Sequence, residues 1–333
     1  MPILKTRLLF TLLAAGLITV QLPGCNKDDN SNSNSGGAKD SGTSGNVDSG
    51  TGDNADSGTG DNADSGTGGG TNCNENIDSE IASLVYCAGD FSSDTVIVTA
   101  QGGPDTELLT TDFDDLMAQG GIGVGGSAGN LLRVNVHQAQ TQSPDLFKKD
   151  VITFDDAKKY DLQSIDTLSN VITYFKGLNK KVLVVGVSFG AFVVQGLIEQ
   201  KGYDVADRYL IMVGRLNIDE IIWKGFSEGK YGSFENGANP AIDGMPTDAE
   251  DINMNKLAAG LGYNRYITLL DKYDDLSNIV YAYGKTDEQV GRLTDEELNF
   301  LDKKKVTVLS SPKGHFDTMV GLISEGIKLS LKN

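Results

Sequence analysis

Short runs of apolar and β-branched residues recur along the chain after residue 94, and helical patterns separate them. The runs predict strands at 95–100, 131–136, 181–185, 209–213, 279–283 and 306–309. The intervening patterns predict helices at 162–177, at 191–200, after 294 and at 319–331. Apolar strands that alternate with helices are typical of a mostly parallel sheet covered on both faces. Upstream, only 82–86 is a candidate strand, so we expect a shortened N-terminal edge of the sheet.

The N-terminus has a different pattern. Lys5 and Arg7 precede an uncharged apolar run over 8–20, which is shorter than the ~20 residues that span a bilayer and is typical of a secretory signal. The run ends in Leu22-Pro23-Gly24-Cys25, which resembles the lipobox of bacterial lipoproteins. The resemblance implies a signal peptide over 1–24 and a diacylated Cys25 as membrane anchor, with palmitate among the acyl chains; the alternative is an ordinary signal peptide. It places the protein in the cell envelope, and Asn26 instead of Asp favours the outer membrane in a two-membrane cell.

Residues 26–71 consist almost entirely of Ser, Gly, Asn, Asp and Thr, and the unit DSGTGDNA at 48–55 is repeated at 56–63. A period without apolar residues cannot bury a core that offsets the entropy of ordering. We therefore predict that 25–72 is a lipidated cysteine followed by a disordered tether. Calcium-binding repeats are the alternative, but they carry an apolar residue that these units lack.

Residues 73–333 are long enough for one domain with a sizeable core. The whole chain has a formal net charge of −18, which argues against nucleic acid as a partner. Cys73 and Cys87 are the two cysteines that remain after Cys25. An even pair in an exported domain predicts a disulfide, with two free thiols as the alternative.

The most informative motif is Gly186-Val187-Ser188-Phe189-Gly190, which follows a predicted buried strand and precedes a predicted helix. A serine on a strained turn between strand and helix projects its hydroxyl into the site, and flanking glycines let the two elements approach closely. In parallel sheets, ligands bind beyond the carboxyl ends of the strands. The pattern therefore marks Ser188 as a candidate nucleophile.

Polar or glycine-rich segments also follow other predicted strands. Gln101-Gly102-Gly103-Pro104 follows the strand at 95–100, Gly284-Lys285-Thr286-Asp287 follows 279–283, and the segment 310–317, with His315, follows 306–309. The chain has two histidines, and one of them stands in the last of these segments.

Together these segments resemble those of the α/β-hydrolase superfamily over about 95–333, in the chain order Ser, Asp, His of that fold. The resemblance implies an α/β-hydrolase fold in which Ser188 is the nucleophile, His315 the general base and Asp287 the acid that orients it. It also implies that the backbone N–H groups of Gly103 and Phe189 form the oxyanion hole. Asp219 or Glu220 is the alternative acid.

Several functions fit this resemblance. We expect a serine hydrolase acting through an acyl-enzyme on small-molecule or lipid esters, without metal or cofactor; a peptidase like the proline iminopeptidases and a non-catalytic surface binding protein are the alternatives. The segment 217–276 is expected to form a helical lid, in which the Gly- and Asn-rich stretch 229–251 looks mobile. His137 ends a predicted strand, and we interpret it as a hydrogen-bonded structural residue with a substrate role as the alternative.

Overall fold

The computed structural model describes residues 76–332. The predicted signal peptide, Cys25, the tether and Cys73 lie outside these residues. The strands are β1 Val85–Ala88, β2 Thr95–Ala100, β3 Leu132–Val136, β4 Lys181–Val187, β5 Arg208–Met212, β6 Gly232–Glu235, β7 Asn239–Ile242, β8 Ile279–Gly284 and β9 Thr307–Ser311. The helices are α1 Ser79–Ala82, α2 Thr110–Gln119, α3 Ala139–Gln142, α4 Pro144–Lys149, α5 Phe154–Gly177, α6 Phe189–Lys201, α7 Glu220–Ser227, α8 Ala249–Gly262, α9 Tyr266–Leu270, α10 Asp295–Lys303 and α11 His315–Leu331.

The central sheet has the strand order β1-β3-β2-β4-β5-β8-β9. All neighbouring pairs are parallel except β1 with β3. The six predicted strands are therefore the six parallel strands, and their carboxyl ends share one edge of the sheet. The short strand β1 pairs antiparallel with β3 and is the edge strand at this shortened N-terminal side of the sheet.

Helices cover both faces of the sheet because side chains alternate along each strand. In β4, Val184 belongs to the apolar cluster beneath α5 and α6, whereas Val185 belongs to the cluster beneath α2 and α11. Both valines are fully buried. This two-sided burial explains why the strands read as continuous apolar runs.

The segment 217–276 contains α7, α8 and α9 together with the β6–β7 hairpin. The hairpin pairs in antiparallel register from Gly232–Ile242 to Glu235–Asn239. Our expectation of an irregular mobile stretch at 229–251 thus differs from the structure, since turn-forming residues there close a hairpin. We refer to 217–276 as the cap segment.

Two further findings concern the envelope predictions. Cys87, which is buried in β1, is disulfide-bonded, but the pairing with Cys73 stays a prediction because Cys73 lies outside the described residues. Within 76–332, none of the helices combines the length and apolarity that crossing a membrane requires.

Asp161 of α5 carries a carboxyl group that is buried against α8 of the cap segment. Neither of its oxygens has a hydrogen-bond partner among the described residues, and a Cβ on Gly260 of α8 would lie 1.9 Å from Oδ2. Burial raises the pKa of Asp161 well above its ordinary value, because the charged form loses its hydration. Asp161 therefore stays protonated where an exposed aspartate is ionised.

Replacing Asp161 with Asn should stabilise the domain increasingly as pH rises above ~4, the ordinary Asp value. The unfolded carboxyl ionises there while the folded one keeps its proton, so the wild type loses stability with rising pH up to its folded pKa. Urea unfolding at several pH values checks this. Asp302→Asn, at an exposed position of α10, is the control, and a pH-independent difference between Asp161→Asn and wild type would contradict the prediction.

Candidate active site

Ser188 lies on the turn between β4 and α6, as its motif predicts. Its backbone has φ 53° and ψ −115°, a left-handed φ that is costly for a residue with a side chain. Its N–H donates to the Met212 carbonyl of β5 at 2.9 Å, which holds the strained turn against the neighbouring strand. The side chain is half-buried and stands at the N-terminus of α6.

The two glycines of the motif permit this turn. A Cβ on Gly186 would lie 2.6 Å from the Gly190 carbonyl oxygen, and a Cβ on Gly190 would lie 2.0 Å from that of Ala100 in β2. Real Cβ atoms do not approach backbone oxygens so closely, so only glycine lets α6 start this near β4 and β2. The close approach puts Ser188 beside the loop that follows β2.

His315, the first residue of α11, and Asp287, in the loop after β8, form a buried pair. The ring Nδ1 lies 2.7 Å from Asp287 Oδ2, and the residues are 5 % and 1 % exposed. Asp287 Oδ1 accepts the backbone N–H groups of Gln289 and Val290. Because Asp287 is held by these donors and faces Nδ1, the neutral ring carries its proton on Nδ1. The lone pair of the neutral ring is therefore on Nε2.

Glu288 also supports this pair, and sequence analysis missed it. Its Oε2 accepts the backbone N–H of His315 at 3.3 Å, at the start of α11, where N–H groups lack helical acceptors. Its position next to Asp287 was the available signal, since neighbours of a candidate acid share its loop.

The serine and the histidine–aspartate pair share one edge of the sheet, since β4, β8 and β9 all run parallel. Within residues 76–332, Ser188 Oγ makes no hydrogen bond to the His315 ring. The structure therefore joins Asp287 to His315 directly and brings Ser188 to the same edge without that contact. Hydrogen bonds of this kind are often long in ligand-free proteins and tighten when substrate binds.

Gly103 and Phe189 flank Ser188 from two elements. Gly102 lies close to the serine, since a Cβ built on it would lie 3.3 Å from Ser188 Cβ. Gly103 follows with φ 121° and a cis bond to Pro104. Phe189 is the first residue of α6, where an N–H has no partner in the helix. Neither N–H has a hydrogen-bond acceptor in the described part of the chain.

The alternative candidates lie elsewhere. The Asp219 side chain accepts the Ile221 N–H and caps α7, and Glu220 pairs with Lys224 on the surface. Neither contacts His315. At the end of β3, His137 Nδ1 lies 2.9 Å from Thr141 Oγ1, and burial lowers the pKa of its ring, which is the environment of a structural histidine.

The cap segment is joined to both functional loops. Thr106 Oγ1, in the loop after β2, donates to Glu250 of α8 at 2.6 Å. On the other side, the Phe234 N–H donates to the Glu288 carbonyl and the Arg292 N–H donates to the Gly237 carbonyl. The β6–β7 hairpin is therefore tied to the loop that carries Asp287.

Replacing Gly190 with Ala should disrupt the domain. The new methyl would meet the Ala100 carbonyl, so α6 would have to move away from β2, and we expect a large drop in melting temperature or loss of soluble protein. Gly321→Ala is the control, because a Cβ there meets nothing within 4 Å and alanine favours a helix by ~1 kcal/mol. A Gly190→Ala protein that melts like wild type would contradict this close packing of α6 on β2.

No known family profile and no curated protein matches this sequence. Solved structures resemble it at low identity. A Thermus thermophilus protein (TT1662) is 12% identical with a TM-score of 0.47, covering 75% of this chain and 94% of its own. An α/β-hydrolase enzyme from a deep-sea metagenome library is 12% identical with a TM-score of 0.47, covering 73% and 94%. Potato (Solanum tuberosum) epoxide hydrolase I is 13% identical with a TM-score of 0.45, covering 73% and 94%. Likenesses this weak carry no argument about activity; the strand order, the parallel pairing and the helices on both faces are those of the α/β-hydrolase fold, which confirms the predicted fold class.

Proposed function

We propose that the domain is a serine hydrolase that cleaves carboxylic esters through an acyl-enzyme. His315 Nε2 takes the proton of Ser188 Oγ while the oxygen attacks the ester carbonyl. The same proton then passes to the departing alcohol. Water, deprotonated by His315, attacks the acyl-enzyme and releases the carboxylic acid and the free serine.

The observation that carries this proposal is the buried hydrogen bond between His315 and Asp287 at the sheet edge where Ser188 stands on its strained turn. The aspartate fixes the tautomer that makes Nε2 basic and stabilises the imidazolium that forms during proton transfer. A histidine so held, with a serine at the same edge, is suited to acyl transfer.

Oxyanion stabilisation would come from the N–H groups of Gly103 and Phe189. Both belong to the segments that flank Ser188, and both are free of acceptors in the described residues. Donors of this kind act on the charge that develops on the carbonyl oxygen in the transition state. The N-terminal end of α6 adds a favourable dipole.

Carboxylic esters are the favoured substrate because the cap segment presents apolar side chains such as Ile221, which is 55% exposed, and apolar lids in this fold serve esters and lipids most often. The absence of a Ser188–His315 hydrogen bond favours one rival, a binding protein with this fold, which the following variants test. Comparing turnover of p-nitrophenyl esters with turnover of aminoacyl naphthylamides distinguishes an esterase from a peptidase.

Ser188→Ala should lose covalent labelling by a fluorophosphonate and reduce ester turnover by several orders of magnitude, because the nucleophile is removed. Asp287→Asn should reduce kcat by about 10⁴ through misorientation of the imidazole. Labelling followed by gel fluorescence and kcat measured on p-nitrophenyl esters check both.

Two controls sharpen this test. Ser92→Ala removes an exposed serine hydroxyl and should label normally. Asp219→Asn keeps a good helix cap and should keep normal turnover. Near-normal hydrolysis by Ser188→Ala would reject the mechanism, whereas an inactive Asp219→Asn beside an active Asp287→Asn would reassign the acid.

We further propose that the chain is anchored to the cell envelope through lipid on Cys25, with 26–72 as tether. A thioether-linked diacyl group together with an N-acyl chain exceeds the two hydrophobic signals that stable anchoring takes. The lipobox-like segment before Cys25 and the polar composition of the following residues support this proposal.

Cys25→Ser should release the protein from membranes or block its processing, because serine offers no thiol for the diacyl group. Membrane fractionation and palmitate labelling measure this. Ser44→Ala, within the same polar segment, should behave like wild type. A wild-type protein that incorporates no palmitate and stays with membranes after Cys25→Ser would overturn the anchor.

A further inference from the structure

Glutamine side chains converge on the loop after β2, which carries the proposed oxyanion donor. The Gln101 side chain closes this loop on itself: Nε2 donates to the Glu107 carbonyl at 2.8 Å, and Oε1 accepts the Leu109 N–H at 2.9 Å. Asn135 of β3 also donates to Gln101 Oε1, at 3.3 Å. Gln101 is 6% exposed, so water does not replace these bonds easily.

A second glutamine holds the main chain of the same residue. Gln138 Nε2 donates to the Gln101 carbonyl at 3.1 Å, and Gln138 Oε1 accepts Gln140 Nε2 at 2.6 Å. Gln138 and Gln140 are 2% and 0% exposed. Because Gln140 donates to it, the Gln138 amide is oriented with its NH₂ group toward Gln101.

The bond from Gln138 acts on the peptide that leads into the glycines. The Gln101 carbonyl and the Gly102 N–H belong to one planar unit, so holding the carbonyl also fixes the direction in which the chain enters Gly102 and Gly103. Glycines have the greatest backbone freedom of any residue, and a loop built on two of them needs anchors outside itself. Gly102 lies so close to Ser188 that a Cβ on it would come within 3.3 Å of the serine Cβ, so a shift of this peptide would displace the donor relative to the nucleophile.

We propose that Gln138 is a positioning residue for the oxyanion hole, acting through the Gln101 carbonyl. The inference rests on the proposed function. It assigns Gln138 to stabilisation of the transition state. The acid–base pair lies after β8 and β9, on the other side of β4, and within residues 76–332 none of its hydrogen bonds involves Gln138.

Gln138→Met tests this, because methionine matches the length of glutamine and lacks the donor. Loss of one oxyanion donor costs about 10²–10³ in kcat, and we expect loosening of the loop to cost less, about 10- to 100-fold. KM for a p-nitrophenyl ester should change less than about twofold, since ground-state binding is not touched. Affinity for an alkyl boronic acid, which forms a tetrahedral adduct with the serine, should fall in parallel with kcat.

Further readouts separate positioning from general loss of structure. The pH profile of kcat should keep its wild-type shape in Gln138→Met. Gln140→Met, which removes only the group that orients Gln138, should lower kcat severalfold with KM held, and it decides the question if Gln138→Met does not fold. Gln163→Met, at an exposed site on α5, is the control and should match wild type.

Unchanged kcat in folded Gln138→Met, or reduced kcat with boronate affinity intact, would overturn the proposal. In the absence of folded Gln138→Met, unchanged kcat in Gln140→Met would do the same. Failure of the proposed function is seen separately, because wild type would then not react with a fluorophosphonate. If wild type is labelled by the fluorophosphonate and the glutamine variants are fully active, the proposed hydrolase function holds and the positioning role of Gln138 is rejected.

Discussion

The close approach of α6 to β4 and β2 is the constraint on which the site depends. Gly190 brings the first turn of α6 against the Ala100 carbonyl, and Gly186 lets β4 pass beneath the same turn. Because neither glycine has a side chain, the chain can turn sharply at Ser188, whose φ is 53°. The strained turn follows directly on β4, whose Val184 and Val185 are completely buried on opposite faces of the sheet. A serine hydroxyl is thereby positioned by backbone geometry, without a hydrogen bond from its own side chain within residues 76–332.

The other two parts of the site are held by different means. Asp287 is fixed by two backbone N–H groups and in turn orients His315, so the acid–base pair is rigid through charge-assisted hydrogen bonds. The loop after β2 is rigid through buried amides of Gln101 and Gln138. Since the cap segment binds both loops, through Glu250 and through the β6–β7 hairpin, any opening of the cap would pull on the acid and on the oxyanion loop together.

The sequence predicted the parts of this arrangement that periodicity and short motifs encode. Buried parallel strands are continuous apolar runs, and functional residues follow them. The sequence therefore predicted six strands, the turn at Ser188 and the positions of Asp287 and His315. The β6–β7 hairpin was missed because glycine, asparagine and proline favour both hairpin turns and irregular loops. The amide of Gln138 was missed for another reason: it donates to a residue 37 positions away, and local pattern does not encode such contacts.

These three forms of rigidity have different consequences for substitution. A change at Gly190 acts on backbone packing and therefore on the fold as a whole. A change at Asp287 leaves the fold and acts on a single proton transfer, because the carboxylate sits in its own loop of backbone donors. The glutamine network stands between these cases: it is as buried as the core, yet its bonds end on one loop. Buried polar groups cost free energy unless all are paired, and a core of the same shape could be built from leucine and methionine. The presence of glutamines beneath the loop is explained if the position of Gly103 matters more for function than the stability that apolar packing would add.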